Sequence, residues 1–134
     1  MNVSTTGIIL NTENYHACVE FYQTLFDLKI LFQKNDGDFR LTCFEFGGAY
    51  LMVETGGVAV SHGKAISQSA AKLRFNVEDI GAALRRLKKY GIDTEIISND
   101  WGDTIDFHDP DGNRIGFRDE VTYIEQVKSG EGSC

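Results

Sequence analysis

The chain has 134 residues, which suits one compact domain with an apolar core. Its formal net charge of -7 argues against a general nucleic-acid-binding protein, because such a protein needs a basic face. Residues 1–10 have neither the basic start nor the long apolar run of a signal peptide, and no stretch is long enough to cross a bilayer. We therefore expect a cytoplasmic protein with no membrane partner.

The first half of the sequence predicts a strand, a helix and three further strands. The predicted strands are residues 6–11, 28–33, 40–46 and 49–54. Asn14 can cap the helix, which runs to about Asp27. Helical spacing predicts one apolar stripe that consists of Cys18, Phe21, Tyr22 and Leu25. The pairs Asp36-Gly37 and Gly47-Gly48 indicate turns between the strands.

The second half repeats this pattern after a segment rich in Gly, Ser and Ala. Residues 55–69 are predicted to be a linker, and residues 71–77 a strand. A second helix is predicted to begin after the cap Asp79 and to end at Gly91. Further strands are predicted near residues 94–97, 104–108 and 114–117, and residues 121–134 are predicted to be a C-terminal tail.

This order is a weak internal repeat of βαβββ modules, at about residues 5–55 and 70–120, joined by a linker at about residues 56–69. The sequence therefore predicts an α+β fold in a single domain, with two βαβββ modules forming a curved mixed sheet with a cleft. One helix covers only one face of a sheet, so the other face is left for a partner unit or a ligand. Exposed strand edges favour a homodimer.

The cysteines and histidines give no sign of a catalytic or metal site. Cys18, Cys43 and Cys134 lack the paired spacing of a disulfide framework or a zinc site. The histidines share no metal-binding motif, and no phosphate loop or Ser-His-Asp order is present. We therefore predict no catalytic residue from these side chains.

Several short motifs stand in one order along about residues 5–120, and each is weak alone. They are Phe21-Tyr22-Gln23-Thr24-Leu25-Phe26, Phe75-Asn76-Val77-Glu78-Asp79-Ile80, Leu87 to Gly91 followed by Ile92, Trp101-Gly102, and Asp109-Pro110-Asp111-Gly112-Asn113. In this order and spacing they resemble the vicinal oxygen chelate superfamily. That family contains glyoxalases, bleomycin-resistance proteins, fosfomycin-modifying enzymes and extradiol dioxygenases. The resemblance implies the fold of the family, but no single activity.

The resemblance also implies a divalent metal ion held by residues that face the cleft. The positions of its ligands fall at Gly7, Met52, Lys72 and Gly116. Glycine offers no side chain, methionine is a soft ligand, and lysine is a cation at neutral pH. The sequence therefore predicts a family member with no metal and no other cofactor.

Strand alternation gives a separate estimate of the open face. On that face it places Tyr50, Met52, Glu54, Lys72, Arg74, Arg114, Gly116 and Arg118. Trp101, in the loop before the seventh strand, is a candidate wall for a ligand. The predicted ligand-binding residues are Met52, Glu54, Lys72, Arg74, Trp101 and Arg118. An alternative is that these cations pair with Glu54 or with acids of a second chain.

The leading hypothesis is a metal-independent binding protein that sequesters a polar or anionic small molecule, similar in plan to the bleomycin-resistance proteins of antibiotic resistance. A second hypothesis is a glyoxalase-like lyase or isomerase that uses a displaced metal ion, or Lys72 as a base. A third is a metabolite-sensing or interaction module.

Overall fold

The structure is a computed structural model that describes residues 1–130. The chain forms two compact units, and each unit contains one four-stranded sheet. The first unit consists of Met1–Gly63 with Asp109–Gly112, and the second consists of Lys64–His108 with the chain from Asn113 onward. The predicted α+β class with two βαβββ modules is confirmed, and each module forms its own mixed sheet. Cys134 lies outside the described residues.

The elements of the first unit are β1 (Gly7–Thr12), α1 (Tyr15–Phe26), β2 (Ile30–Asp36), β3 (Phe39–Phe46) and β4 (Ala49–Thr55). The strand order in the sheet is β1-β4-β3-β2, with β1 parallel to β4 and the other pairs antiparallel. The residues of the predicted α1 stripe are all buried. They pack on β4, where Leu51 and Val53 have no exposed surface.

The turns in the first unit decide where its strands end. The turn after β2 is centred on Gly37 and Asp38, so β2 pairs with β3 from Ile30 to Asp36 instead of covering residues 28–33 as predicted. The predicted turn at Gly47 and Gly48 is confirmed, with φ of 55° and 89°. Two successive positive φ angles match the twist of a tight hairpin, and glycine adopts them without strain.

The prediction that the Asn14 side chain caps α1 is wrong. Asn14 stands at the N-cap position, but its ψ of 64° is not extended and its side chain makes no capping hydrogen bond. The carboxylate of Asp111, from the turn between the last two strands of the chain, binds the backbone just before the start of this helix. It accepts the backbone N–H groups of Glu13 and Asn14 at 2.8 Å each. A negative charge at a helix N-terminus is favourable.

The elements of the second unit are β5 (Leu73–Val77), α2 (Ile80–Tyr90), β6 (Ile96–Asn99), β7 (Gly102–His108), β8 (Arg114–Asp119) and α3 (Glu120–Ser129). The strand order is β5-β8-β7-β6, with β5 parallel to β8. The predicted caps of α2 are confirmed: the Asp79 side chain accepts the Ala82 N–H at 3.0 Å, and Gly91 has a φ of 101°. Leu87, on the inner face of α2, is fully buried.

The prediction of a tail over residues 121–134 is wrong where the structure describes it, because Glu120–Ser129 forms α3. The Asp119 carboxylate accepts the Thr122 N–H at 2.9 Å and caps the helix, and Gly130 ends it with a φ of 67°. α3 packs on β5 and β8. None of the helices in the described part of the chain is long and apolar enough to span a membrane.

Candidate functional site

The open face of the second unit is the sheet face that points away from α2. Leu73 is buried and Arg74 is exposed, as the alternation of β5 predicts. Arg74 pairs in register with Gly116 of β8. A Cβ atom added to Gly116 would lie 3.0 Å from the Cε of Lys72 and 3.4 Å from the Nε of Arg74. The Lys72 and Arg74 side chains therefore lie against the surface of Gly116.

Lys72 forms an ion pair with an acid of the same face. Its Nζ donates to Oδ1 of Asp106 at 2.6 Å, and the two side chains are 27% and 53% exposed. Asp106 is the register partner of Gly116 on β7. Ion pairs this exposed contribute about 0–1 kcal/mol. An anionic group could therefore replace Asp106 beside Lys72 at small cost.

Arg74 is an uncompensated cation of this face. Its side chain is exposed, and it has no hydrogen-bond or ion-pair partner among residues 1–130. The guanidinium thus keeps all its donors available, in the fork geometry that matches a carboxylate or phosphate group. Together Lys72 and Arg74 make the region over Gly116 cationic within an acidic chain.

The first unit has its own counterpart of this arrangement at Gly7. Gly7 pairs in register with Tyr50, and a Cβ atom on Gly7 would overlap the Tyr50 ring. Met52 and Glu54 follow Tyr50 on the same face of β4 and are both half-buried. The Glu54 carboxylate has no ion-pair partner within residues 1–130, so the alternative in which Glu54 pairs with the cations is not found there.

Arg118 and Trp101 contact each other. Arg118 is only 7% exposed, and its guanidinium donates to the Trp101 carbonyl at 2.9 Å. The guanidinium carbon lies 4.7 Å from the centre of the Trp101 ring and 5.4 Å from that of Tyr123 on α3. Cation–π contacts of this kind stabilise a buried arginine. This is the environment of a structural residue, and ligand binding by Arg118 and Trp101 stays a prediction.

The residues at the positions of the family's metal ligands do not fit a metal ion. Gly7 and Gly116 offer no donor, and side chains of their neighbours occupy the adjacent space. Lys72 is engaged as a cation by Asp106, and Met52 offers only a thioether. No group of three or more His, Cys, Asp or Glu side chains in residues 1–130 is arranged to hold a metal ion. We therefore derive no step through a metal at these positions.

The buried cysteines of the first unit are not placed for chemistry. Burial raises the pKa of the Cys18 thiol, and the neighbouring carboxylates of Asp109 and Asp111 raise this pKa further. Burial also raises the pKa of the Cys43 thiol. Both thiols are thus held in the protonated form, which is a poor nucleophile.

Two features of the site were missed at the level of the sequence. The acid that pairs with Lys72 is Asp106, which the alternation of the predicted strand at residues 104–108 would have placed on the open face. Tyr123 was missed because α3 was not predicted. The spacing from a capping Asp119 to Gly130 was the available signal for this helix.

Comparison with known proteins agrees with this fold. Residues 5–117 match the profile of the Glyoxalase/Bleomycin resistance protein/Dioxygenase superfamily. The chain therefore belongs to this superfamily, and the resemblance found in the motifs is confirmed. No curated protein matches the chain.

Solved structures of similar fold include several with stated ligands or activities. The fosfomycin resistance protein FosX from Listeria monocytogenes, in complex with Mn(II) and sulfate, is 16% identical with a TM-score of 0.67 over 89% of this chain and 93% of that chain. Lactoylglutathione lyase from Agrobacterium tumefaciens is 17% identical with a TM-score of 0.67 over 89% and 95%. TnmS3, an antibiotic binding protein from Streptomyces sp. CB03234, is 19% identical with a TM-score of 0.65 over 89% and 98%. At such identities the likeness extends to the fold alone.

Proposed function

We propose that the protein is a metal-independent binding protein for a polar or anionic small molecule, held on the open face of the second unit. The observation that carries this proposal is the position of Lys72 and Arg74 against Gly116. At Gly116 the family resemblance implies a carboxylate that binds a metal ion. Two cations around a missing carboxylate reverse the charge of the site, so its preferred partner changes from a metal ion to an anion.

The two cations have different tasks in this proposal. Arg74 is exposed and has no partner among the described residues, so it is free to bind the anionic group with two parallel hydrogen bonds. Lys72 is held by Asp106 at 2.6 Å, and binding of an anion exchanges one carboxylate partner for another. Met52 and Glu54 lie on the first unit, and ligand binding by these two residues stays a separate prediction.

A binding function is compatible with what is known of the fold. TnmS3, which shares this fold, is described as an antibiotic binding protein. Sequestration requires only affinity and no catalytic group, which suits a chain whose described residues include no metal-binding cluster. We therefore extend the proposal to sequestration, as in the bleomycin-resistance type.

The enzyme hypothesis that uses Lys72 as a base is less well supported. A base must give up its proton before it can accept another one. For Lys72 this would leave the Asp106 carboxylate 2.6 Å away without its cation. Lys72 is therefore better suited to electrostatic binding than to proton transfer.

The proposal is tested by titrating chelator-treated protein with two anions, succinate and phosphonoacetate, and with 1,4-diaminobutane as the cationic counterpart. Amide chemical shifts report the site and the affinity. We expect both anions to bind and to shift the signals around Gly116, whereas the diamine does not bind. Arg74→Gln should weaken anion binding about tenfold, because it removes a charge-assisted pair of hydrogen bonds. Lys89→Gln, an exposed cation on α2 of the second unit, is the matched control and should have no effect.

Two results would overturn this proposal. One is that the anions bind only after Mn²⁺, Ni²⁺ or Zn²⁺ is added. The other is that the diamine binds while both anions fail. Native mass spectrometry of freshly purified protein adds a direct check, since a retained anion without a metal ion supports the assignment.

We also propose that the chain acts as one vicinal-oxygen-chelate-like domain and forms a homodimer. The edge strand β2 supports the second point, because Leu31 and Phe32 are 48% and 50% exposed on a strand with one free edge. Sedimentation equilibrium tests it. A monomer at concentrations well above micromolar would contradict the dimer without affecting the binding site.

A further inference from the structure

A second concave region of the second unit lies apart from Arg74. It is a cavity of about 610 Å³ at the end of the sheet where β5 and β8 begin and β7 ends. Its apolar lining includes Ile92, Phe107 and Ile115, and its charged lining includes Lys64 and Arg114. Ligand sites in proteins commonly fall in this range of volume and combine apolar walls with a few placed polar groups.

The two cations of this cavity have polar partners but no neutralising acid. The Lys64 Nζ donates to Oδ1 of Asn113 at 2.9 Å. The Arg114 guanidinium donates to consecutive backbone carbonyls of residues 69–71, at 3.3 to 3.4 Å, while its buried Nε has no partner. Neither cation forms an ion pair with another described residue. Carbonyl and amide oxygens satisfy hydrogen bonds, but they leave both charges in place.

The acids that line the cavity do not compensate these charges. Asp106 is already paired with Lys72 at 2.6 Å, so that pair is neutral as a whole. Asp93 is exposed and forms no ion pair with Lys64 or Arg114. Lys64 and Arg114 are both half-buried, and a half-buried cation without an acid favours a bound anion.

We propose that this cavity binds an organic carboxylate with an apolar body. The carboxylate lies between Lys64 and Arg114, where it supplies the missing negative charge. The apolar body lies against Ile92, Phe107 and Ile115. Lys72 and Asp106 also line this cavity, so it adjoins the proposed site, but Arg74 does not line it and neither Lys64 nor Arg114 is among the nearest neighbours of Gly116.

The test uses three probes with the same body and different head groups: 3-phenylpropanoate, 3-phenylpropan-1-ol and 3-phenylpropan-1-amine. Calorimetry gives the affinities, and amide chemical shifts give the location. We expect 3-phenylpropanoate to bind and to shift the signals of Ile92 and Phe107. The alcohol should bind about tenfold more weakly, because it lacks the charge-assisted hydrogen bonds, and the amine should not bind.

Variants separate this cavity from the open face. Lys64→Gln should weaken the binding of 3-phenylpropanoate about tenfold. Arg114→Lys should weaken this binding less, because lysine keeps the positive charge but lacks the forked hydrogen-bond geometry of the guanidinium. Lys89→Gln, an exposed cation on α2 that does not line the cavity, is the matched control and should leave the affinity unchanged. The inference is overturned by equal binding of the three probes, by no binding of 3-phenylpropanoate at millimolar concentrations, or by loss of binding in Arg74→Gln but not in Lys64→Gln. The last result would assign the anion to the open face instead.

Discussion

The Tyr22 hydroxyl donates a 2.6 Å hydrogen bond to Oδ2 of Asp109, a residue 87 positions further along the chain. Both groups are buried. Burial raises the pKa of Tyr22, and the Asp109 carboxylate raises this pKa further, so the phenol stays protonated as a donor. The bond attaches the turn Asp109–Gly112 to the inner face of α1.

Tyr22→Phe should therefore lower the free energy of unfolding by about 1–3 kcal/mol, because Asp109 loses a buried donor. Urea unfolding followed by circular dichroism measures this change. The Tyr123 ring lies on the surface of α3, so Tyr123→Phe is the control and should stay within about 0.5 kcal/mol of the wild type. Equal effects of the two substitutions would contradict the role assigned to the Tyr22 hydroxyl.

Asp111→Ala should destabilise the first unit by about 2 kcal/mol or more, since the N–H groups of Glu13 and Asn14 both lose a carboxylate acceptor. Hydrogen exchange should show faster opening at the start of α1 than at its end. Asp36→Ala, at an exposed position on β2, is the matched control. A variant as stable as this control would exclude Asp111 as the anchor of the helix.

Gly7→Ala should destabilise the protein by about 1–3 kcal/mol, because the new methyl group displaces the Tyr50 ring. In a Tyr50→Ala background the same change should cost much less, which gives a measurable coupling in a double-mutant cycle. Gly116→Ala should cost less than Gly7→Ala, since its closest neighbour is the flexible end of Lys72. Additive effects of Gly7→Ala and Tyr50→Ala would argue against this contact.

Lowering the pH should destabilise α3, because the Asp119 carboxylate that caps this helix becomes protonated. Burial alone would raise the pKa of Asp119, but hydrogen bonds from Thr122 and the Asp103 N–H, with the charge of Arg118, outweigh it and lower this pKa. The pKa of Asp119 is lower in the folded state than its ordinary value of 3.8. The cap therefore stabilises α3 fully at a pH above 3.8, and this stabilisation is lost as the pH falls through the lowered pKa. This prediction is tested by following the amide signals of Thr122 and Tyr123 from about pH 6 to about pH 2, because an aspartate carboxyl titrates in this range. Asp119→Asn should remove the pH dependence.

Asp106→Asn should increase the affinity for succinate, up to about fivefold, because the anion no longer competes with a carboxylate for Lys72. The titration used for the proposed site measures this effect. Asp100→Asn removes an exposed acid elsewhere in the second unit and serves as the control. Weaker binding in Asp106→Asn would show that Asp106 contributes to the site by holding Lys72 in position.

The fold was predictable because its signals are local. The α1 stripe, the Asp79 and Gly91 caps of α2 and the Gly47-Gly48 turn each follow from neighbouring residues, and all are found. The ends of β2 were not predictable in the same way, since pairing with β3 determines them. The open face of β5 followed from alternation alone, with Leu73 buried and Arg74 exposed.

The errors come from contacts between residues that are far apart in sequence. Asn14 has the side chain of a good cap, but its backbone N–H donates to the carboxylate of Asp111, which comes from 97 residues away. The contacts of the Trp101 and Tyr123 rings with the Arg118 guanidinium were not predicted. The partner of Lys72, Asp106, lies 34 positions away on β7. No periodic pattern within one element contains this information.

The turn Asp109–Gly112 has a consequence for how the gene could be divided. It joins β7 to β8, both in the second unit, yet its carboxylates complete the first unit. A fragment that stops at Gly63 would keep all strands of its sheet and still lack the acceptors for Tyr22 and for the start of α1. The two halves of the sequence repeat one pattern, but the first half alone does not contain all the residues that complete the first unit.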